Sequence, residues 1–108
     1  MAIEVRINHF AHRDQAISEI QASGLRLIEA DVAADKLDPQ SHAHPYQVDI
    51  YVLDGTFELR DMDTGHTHFI TAGSKATVPA GANHSEGPSA FRGAFGIAGD
   101  PDTGSHRA

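Results

Sequence analysis

The chain contains no cysteine among its 108 residues. Disulfides and thiolate metal ligands are therefore excluded, any metal must be held by nitrogen and oxygen, and a cytoplasmic setting fits. Also missing is an apolar run of the length a bilayer requires, and no basic segment followed by an apolar one opens the sequence. A soluble, unexported protein without a membrane partner is the expectation. Basic residues are few: 8 Lys and Arg against 15 Asp and Glu leave a formal net charge of −7, and the basic residues never cluster. Such a chain repels phosphate backbones, so nucleic acid is not an expected partner. No internal repeat, low-complexity tract or second domain is visible. The length suits one domain, with a core small enough that oligomerisation would help stabilise it.

What the chain does have is histidine, 8 residues in all. Two lie in Ser41-His42-Ala43-His44-Pro45, which runs on to Tyr51-Val52-Leu53-Asp54-Gly55, and another closes the segment from Gly73 to His84. Residues two apart on an extended chain share a face, so His42 and His44 can address one point in space. The Pro79-Ala80-Gly81 turn can aim His84 at the same point. Three neutral imidazoles so placed suit a divalent transition metal, with iron, zinc, nickel, manganese and copper all admissible. The alternative is a set of partly buried histidines in a metal-free pocket. A His-x-His pair alone carries little: His66 and His68 form one too, but follow a tight turn with no third ligand suggested, and read as a solvated strand start. The Gly73 to His84 string is more specific, since the same composition would produce it in roughly 0.3% of shuffled chains.

These two segments resemble the paired motifs of the cupin superfamily. His42, His44 and Gly55 match the first motif, while Gly73, Pro79, Gly81 and His84 match the second, and the resemblance spans positions 36 to 98. It departs at Lys36, where the leading Gly would stand, at Pro88 in place of the closing Asn, and at Val48, where the family carries a Glu. The resemblance implies an all-β fold, a small jelly-roll barrel, with a metal at His42, His44 and His84. It also implies an enzyme acting on a small oxygen-rich organic molecule, of dioxygenase, isomerase or lyase type. The alternative is a non-catalytic small-molecule-binding or sensor module.

Valine cannot ligate a metal, so the fourth position is open. Strand alternation puts Val48, Ile50 and Val52 on one apolar face and Gln47, Asp49, Tyr51 and Leu53 on a mixed one. The apolar face belongs to the barrel core, where with Tyr46 it would line a substrate pocket. Asp49 then points away from the histidines unless a bulge at Pro45 and Tyr46 re-aims it. Water, Gln47 and Asp49 remain three ways to complete the site. Glu86, two residues after His84, shares its face in an extended chain; it is an acid, a base, an orienting partner or an ordinary solvated carboxylate. Phe57, Phe69, Phe91 and Phe95 read as core or interface, and His9, His12 and His106 as surface.

Along the chain, Ile3, Val5 and Ile7 alternate like an edge strand, and a helix is expected from Asp14 to Ser23 with Gly24 as its stop. Strands follow at Leu25 to Val32, at His42 and His44, and from Gln47 to Leu53. An Asp54-Gly55 turn then leads to Thr56 to Met62, and strands at His66 to Thr71, Ala76 to Val78 and Phe91 to Ile97 close the set. Residues 1–24 are expected to pack on a barrel of residues 25–98, and 99–108 to form a loose tail. An unpartnered N-terminal strand and an outward face bearing Tyr51 and Leu53 suggest a two-fold homodimer built through a barrel face, with or without an exchanged N-terminal arm.

Overall fold

The computed structural model describes residues 2–98. Seven strands and one helix follow in order: β1 (Glu4–Arg6), α1 (Arg13–Ala22), β2 (Arg26–Val32), β3 (Val48–Asp61), β4 (Thr67–Thr71), β5 (Lys75–Val78), β6 (His84–Glu86) and β7 (Phe91–Ile97). All pairings are antiparallel. The strands run β1-β5-β3-β7-β2 across one sheet, and β4 and β6 flank the far half of β3. The result is the expected all-β jelly-roll with one helix. The tail and His106 lie outside the described residues.

The organising element is β3, which is 14 residues long. Its first half pairs with β5 and β7, and its second half with β4 and β6. Asp54-Gly55 is therefore no hairpin turn. The two halves continue in one direction, and the ladder with β7 shifts between Val52 and Asp54, leaving Leu53 as an extra residue. An extra residue reverses the side-chain alternation. Ile50 and Val52 face the core before it, Phe57 and Leu59 after it. Gly55 has φ +81°, and a Cβ there would sit 3.1 Å from the Ala90 carbonyl oxygen. The Asp-Gly pair thus serves a bend that carries one strand from one sheet to the other.

Two further expectations need correction. The N-terminal strand is not left without a partner: β1 pairs with β5 of its own chain, Val5 opposite Ala76. The Tyr51 face is not outward either, because α1 covers it. Ala16 and Ile20 on the helix pack with Tyr51 and Ala94, fully buried, with Leu53 at the margin. Gly96 lets the helix approach, since a Cβ there would lie 3.0 Å from Leu25 and 3.2 Å from Ile20. Both features that suggested a homodimer with an exchanged arm are thus satisfied within one chain. Among the described residues no helix is long and apolar enough to cross a membrane.

A polar network ties α1 down. Glu19 accepts hydrogen bonds from Tyr51 Oη (2.7 Å) and Lys75 Nζ (3.0 Å), and His9 Nε2 lies 2.8 Å from it. His9 is therefore half-buried and partnered rather than a plain surface residue. Burial alone would raise the Glu19 pKa, but the hydrogen bonds from His9, Tyr51 and Lys75 outweigh it and hold the carboxyl down at about 2. A depressed carboxylate stabilises the fold above its unfolded pKa of 4.5, and that contribution is lost as pH falls toward 2. Glu19→Gln is accordingly expected to melt below the wild type at pH 7, with the gap shrinking between pH 4.5 and pH 2. A gap constant across that window in thermal melts would contradict the network.

Candidate functional site

His42 and His84 face each other through a single backbone bridge. His42 N–H donates to the His84 carbonyl and His84 N–H to the His42 carbonyl, both at 2.9 Å. This reciprocal pair differs from the expected strand: residues 42 and 44 lie in no strand, and only His42 makes a bridge. Gly81 N–H donates to the His44 carbonyl at 2.8 Å, tying the Pro79-Ala80-Gly81 turn to the first segment. β6, which the sequence did not reveal, holds His84 opposite Asp61 of β3. The ring centroids lie 5.2 Å apart for His42 and His44, 4.3 Å for His42 and His84, and 5.4 Å for His44 and His84.

One nitrogen from each of the three rings lies within 4.8 Å of the others. Their protonation follows from their partners. His42 Nδ1 is 2.9 Å from the Gln40 carbonyl and His84 Nδ1 is 3.1 Å from the Ala82 carbonyl. A carbonyl oxygen only accepts, so each Nδ1 donates, and in the neutral ring Nε2 is then the nitrogen that carries the lone pair. Burial holds His44 and His84 below the ordinary imidazole pKa, and for His44 the neighbouring rings add to the effect. His44 Nδ1 is the one buried side-chain polar atom among the described residues with no hydrogen-bond partner. Leaving such an atom unpaired costs about 1–3 kcal/mol. Three ring nitrogens converging on one point, one of them on a ring whose Nδ1 has no partner, fit a nitrogen-ligated divalent cation.

Glu86 sits beside the cluster. Its Oε1 accepts the Asp38 N–H at 2.8 Å, and its Oε2 lies 3.8 Å from His42 Nε2. Asp49 and Gln47 do not join. Asp49 is buried on the helix-facing side of β3, accepts a hydrogen bond from Gln47 Nε2 at 3.0 Å, and lies 3.7 Å from Lys75 Nζ. His66 and His68 meet edge to face at 4.5 Å on another part of the sheet, and among the described residues they belong to no group of three potential ligands.

His44 and His84 line a cavity of about 250 Å³, and His42 and His44 a neighbouring pocket of about 240 Å³. Val48, Ile50 and Tyr46 are among the lining residues of the first, and Tyr46 stacks on His44 at 5.2 Å. Val52 is not among them: it is wholly enclosed in the core. Phe57, Phe91 and Phe95, read from sequence as core, are also cavity walls, joined by Ile97, Val32 and Leu37. Alternation along β7 was the available signal, since Phe91, Phe95 and Ile97 share one parity. Lys36 lines the mouth.

No curated protein matches the sequence. The fold is similar to a DUF861 family protein from Thermotoga maritima, at 15% identity and a TM-score of 0.56, covering 90% of this chain and 100% of that one. It is also similar to a protein from Neisseria meningitidis, at 17% identity and a TM-score of 0.54, covering 69% of this chain and 75% of that one. At these identities the likeness speaks for the fold. The family model described as Cupin_2, the cupin domain, matches residues 29–87. That stretch takes in all three clustered histidines and more than half of the sequence, so the chain belongs to the cupin domain family.

Proposed function

We propose that this protein is a metal-dependent enzyme of isomerase or lyase type, acting on a small organic molecule that presents oxygen to His42, His44 and His84. The observation that carries this reading is the convergence of three imidazole nitrogens within 4.8 Å, two of the rings lining a cavity, with a carboxylate alongside. A divalent transition metal held by those nitrogens supplies a Lewis acid that polarises a carbonyl or carboxylate oxygen. The Gln40 and Ala82 carbonyls keep the rings of His42 and His84 in the binding tautomer. With Gln47 and Asp49 turned to the other face, the chain offers three ligands and leaves further positions to water or substrate. Ile50, Phe57 and Phe91 give the cavity an apolar wall, and a less polar surrounding strengthens the electrostatic interactions beside it. Glu86 Oε2 takes a proton from the carbon next to a bound carbonyl, the C–H electron pair forming a C=C bond as the C=O π pair moves onto oxygen, and returns the proton to carbon as the carbonyl re-forms.

Elemental analysis of protein purified without a His-tag tests the metal. About one divalent ion per chain is expected, falling well below one in His42→Ala, His44→Ala and His84→Ala. Asp49→Asn, His66→Ala and His68→Ala should retain it. Equal loss from the second histidine pair would refute the assignment. For the proton transfer, Glu86→Gln should keep the metal yet slow deuterium exchange into the methyl group of pyruvate by about 100-fold or more. Unchanged exchange with full metal content would remove Glu86 from the chemistry and leave a binding module as the better reading.

A further inference from the structure

The distribution of polarity around the cluster narrows what the cavity receives. The charged or hydrogen-bonding side chains that line the inner cavity are His44, His84, Tyr46, Glu86 and Lys36; Tyr46 stacks on His44, and Lys36 and Glu86 border a second pocket together with His42 and His44. The remaining wall is hydrocarbon, with three phenyl rings, those of Phe57, Phe91 and Phe95, and the branched side chains of Val48, Ile50 and Ile97. Phe57 stacks on Phe91 at 4.5 Å, and Phe91 meets Phe95 at 6.1 Å, so the rings form one continuous surface. At Lys36, His44 and Glu86 the site continues into this second pocket, of about 240 Å³, which Asp38 and His42 also border. The histidines therefore stand between an apolar chamber and a polar entrance.

A molecule rich in hydroxyl groups would leave most of them without partners against this wall, at a cost of about 1–3 kcal/mol for each unpaired group. An apolar body instead gains about 25 cal/mol for each Å² it removes from water. The size also sets a limit. A cavity of about 150 Å³ accommodates benzene, so about 250 Å³ holds a ring-sized body with a short head. Charge selects the head. Lys36 set against Asp38 and Glu86 leaves one net negative charge at the entrance, and a divalent cation on the histidines turns that into one net positive charge.

We infer that the ligand is a small amphipathic monoanion: an apolar body of about the size of a phenyl ring, seated against Phe57, Phe91 and Phe95, with one carboxylate-like head at the histidines and Lys36. This deepens the metal-dependent reading above and rests on it for the sign of the head. Oxygen in the substrate is then confined to one end of the molecule, and a sugar-like ligand is excluded.

Calorimetric titration with 3-phenylpropionate and with tartrate tests the inference on protein of measured metal content. With one metal per chain, 3-phenylpropionate should bind at least tenfold tighter than tartrate, and metal removal should weaken it at least tenfold. Val48→Phe and Ile97→Phe, each filling the chamber from a different strand, should weaken 3-phenylpropionate at least tenfold while the metal content stays at one, which also reports that the variants fold. Tartrate binding as tightly as 3-phenylpropionate to metal-loaded protein would overturn the inference and leave the metal reading intact. Preference for 3-phenylpropionate in a chain that takes up no metal would sustain the apolar body and overturn the metal reading.

Discussion

Four of the six other strands hydrogen-bond to β3, so its course through the molecule constrains nearly everything else. The strand serves both sheets only because Leu53 is looped out and Gly55 takes a conformation closed to most side chains. That one irregularity reverses the alternation, so that apolar residues of both halves turn inward. It also places the site. The first half contributes Val48 and Ile50 to the cavity wall, and the second half ends at Asp61, opposite His84. From His84 the reciprocal backbone bridge reaches His42, and the Gly81 to His44 bond draws in the third ring.

Two polar clusters lie on opposite sides of the sheet, and the contrast between them separates structure from chemistry. Beneath the helix, Glu19 is saturated by His9, Tyr51 and Lys75, while Asp49 is held by Gln47 and faces Lys75. Burial pushes the Tyr51 phenol up to about 12, so it remains a donor to Glu19. Groups so arranged neutralise one another and anchor a helix. Across the sheet the three imidazoles do the reverse. The Nδ1 atoms of His42 and His84 go to carbonyls, one nitrogen of each ring lies within 4.8 Å of the other two, and His44 Nδ1 is left unmatched. That arrangement becomes favourable once a cation occupies it.

Much of this was legible in the sequence because the signals were local. The span of α1, the strand spacing and the string from Gly73 to His84 depend on turn chemistry and periodicity that neighbouring residues carry. Parity along β3 was enough to turn Asp49 away from the histidines. The failures were tertiary. Asp54-Gly55 has the composition of a hairpin turn, yet pairing with β4 through β7 decided in favour of a bend in a continuous strand. Tyr51 looked exposed because the helix that covers it lies some thirty residues earlier in the chain. β6 is a three-residue strand whose existence depends on β3, so no periodicity announces it. The cavity walls supplied by β7 follow from which face the sheet turns inward, and strand alternation alone leaves that choice open.

X-ray absorption spectroscopy of the metal-loaded protein tests the central claim most directly, because it counts imidazoles around the metal without reference to any substrate. Three imidazole nitrogens at about 2.0–2.1 Å, if the metal is zinc, with the remaining positions filled by oxygen are predicted. His42→Ala, His44→Ala and His84→Ala, loaded at high metal concentration, should each show two. A spectrum with fewer than two imidazoles, or one unchanged by all three substitutions, would contradict the assignment of the metal to this cluster.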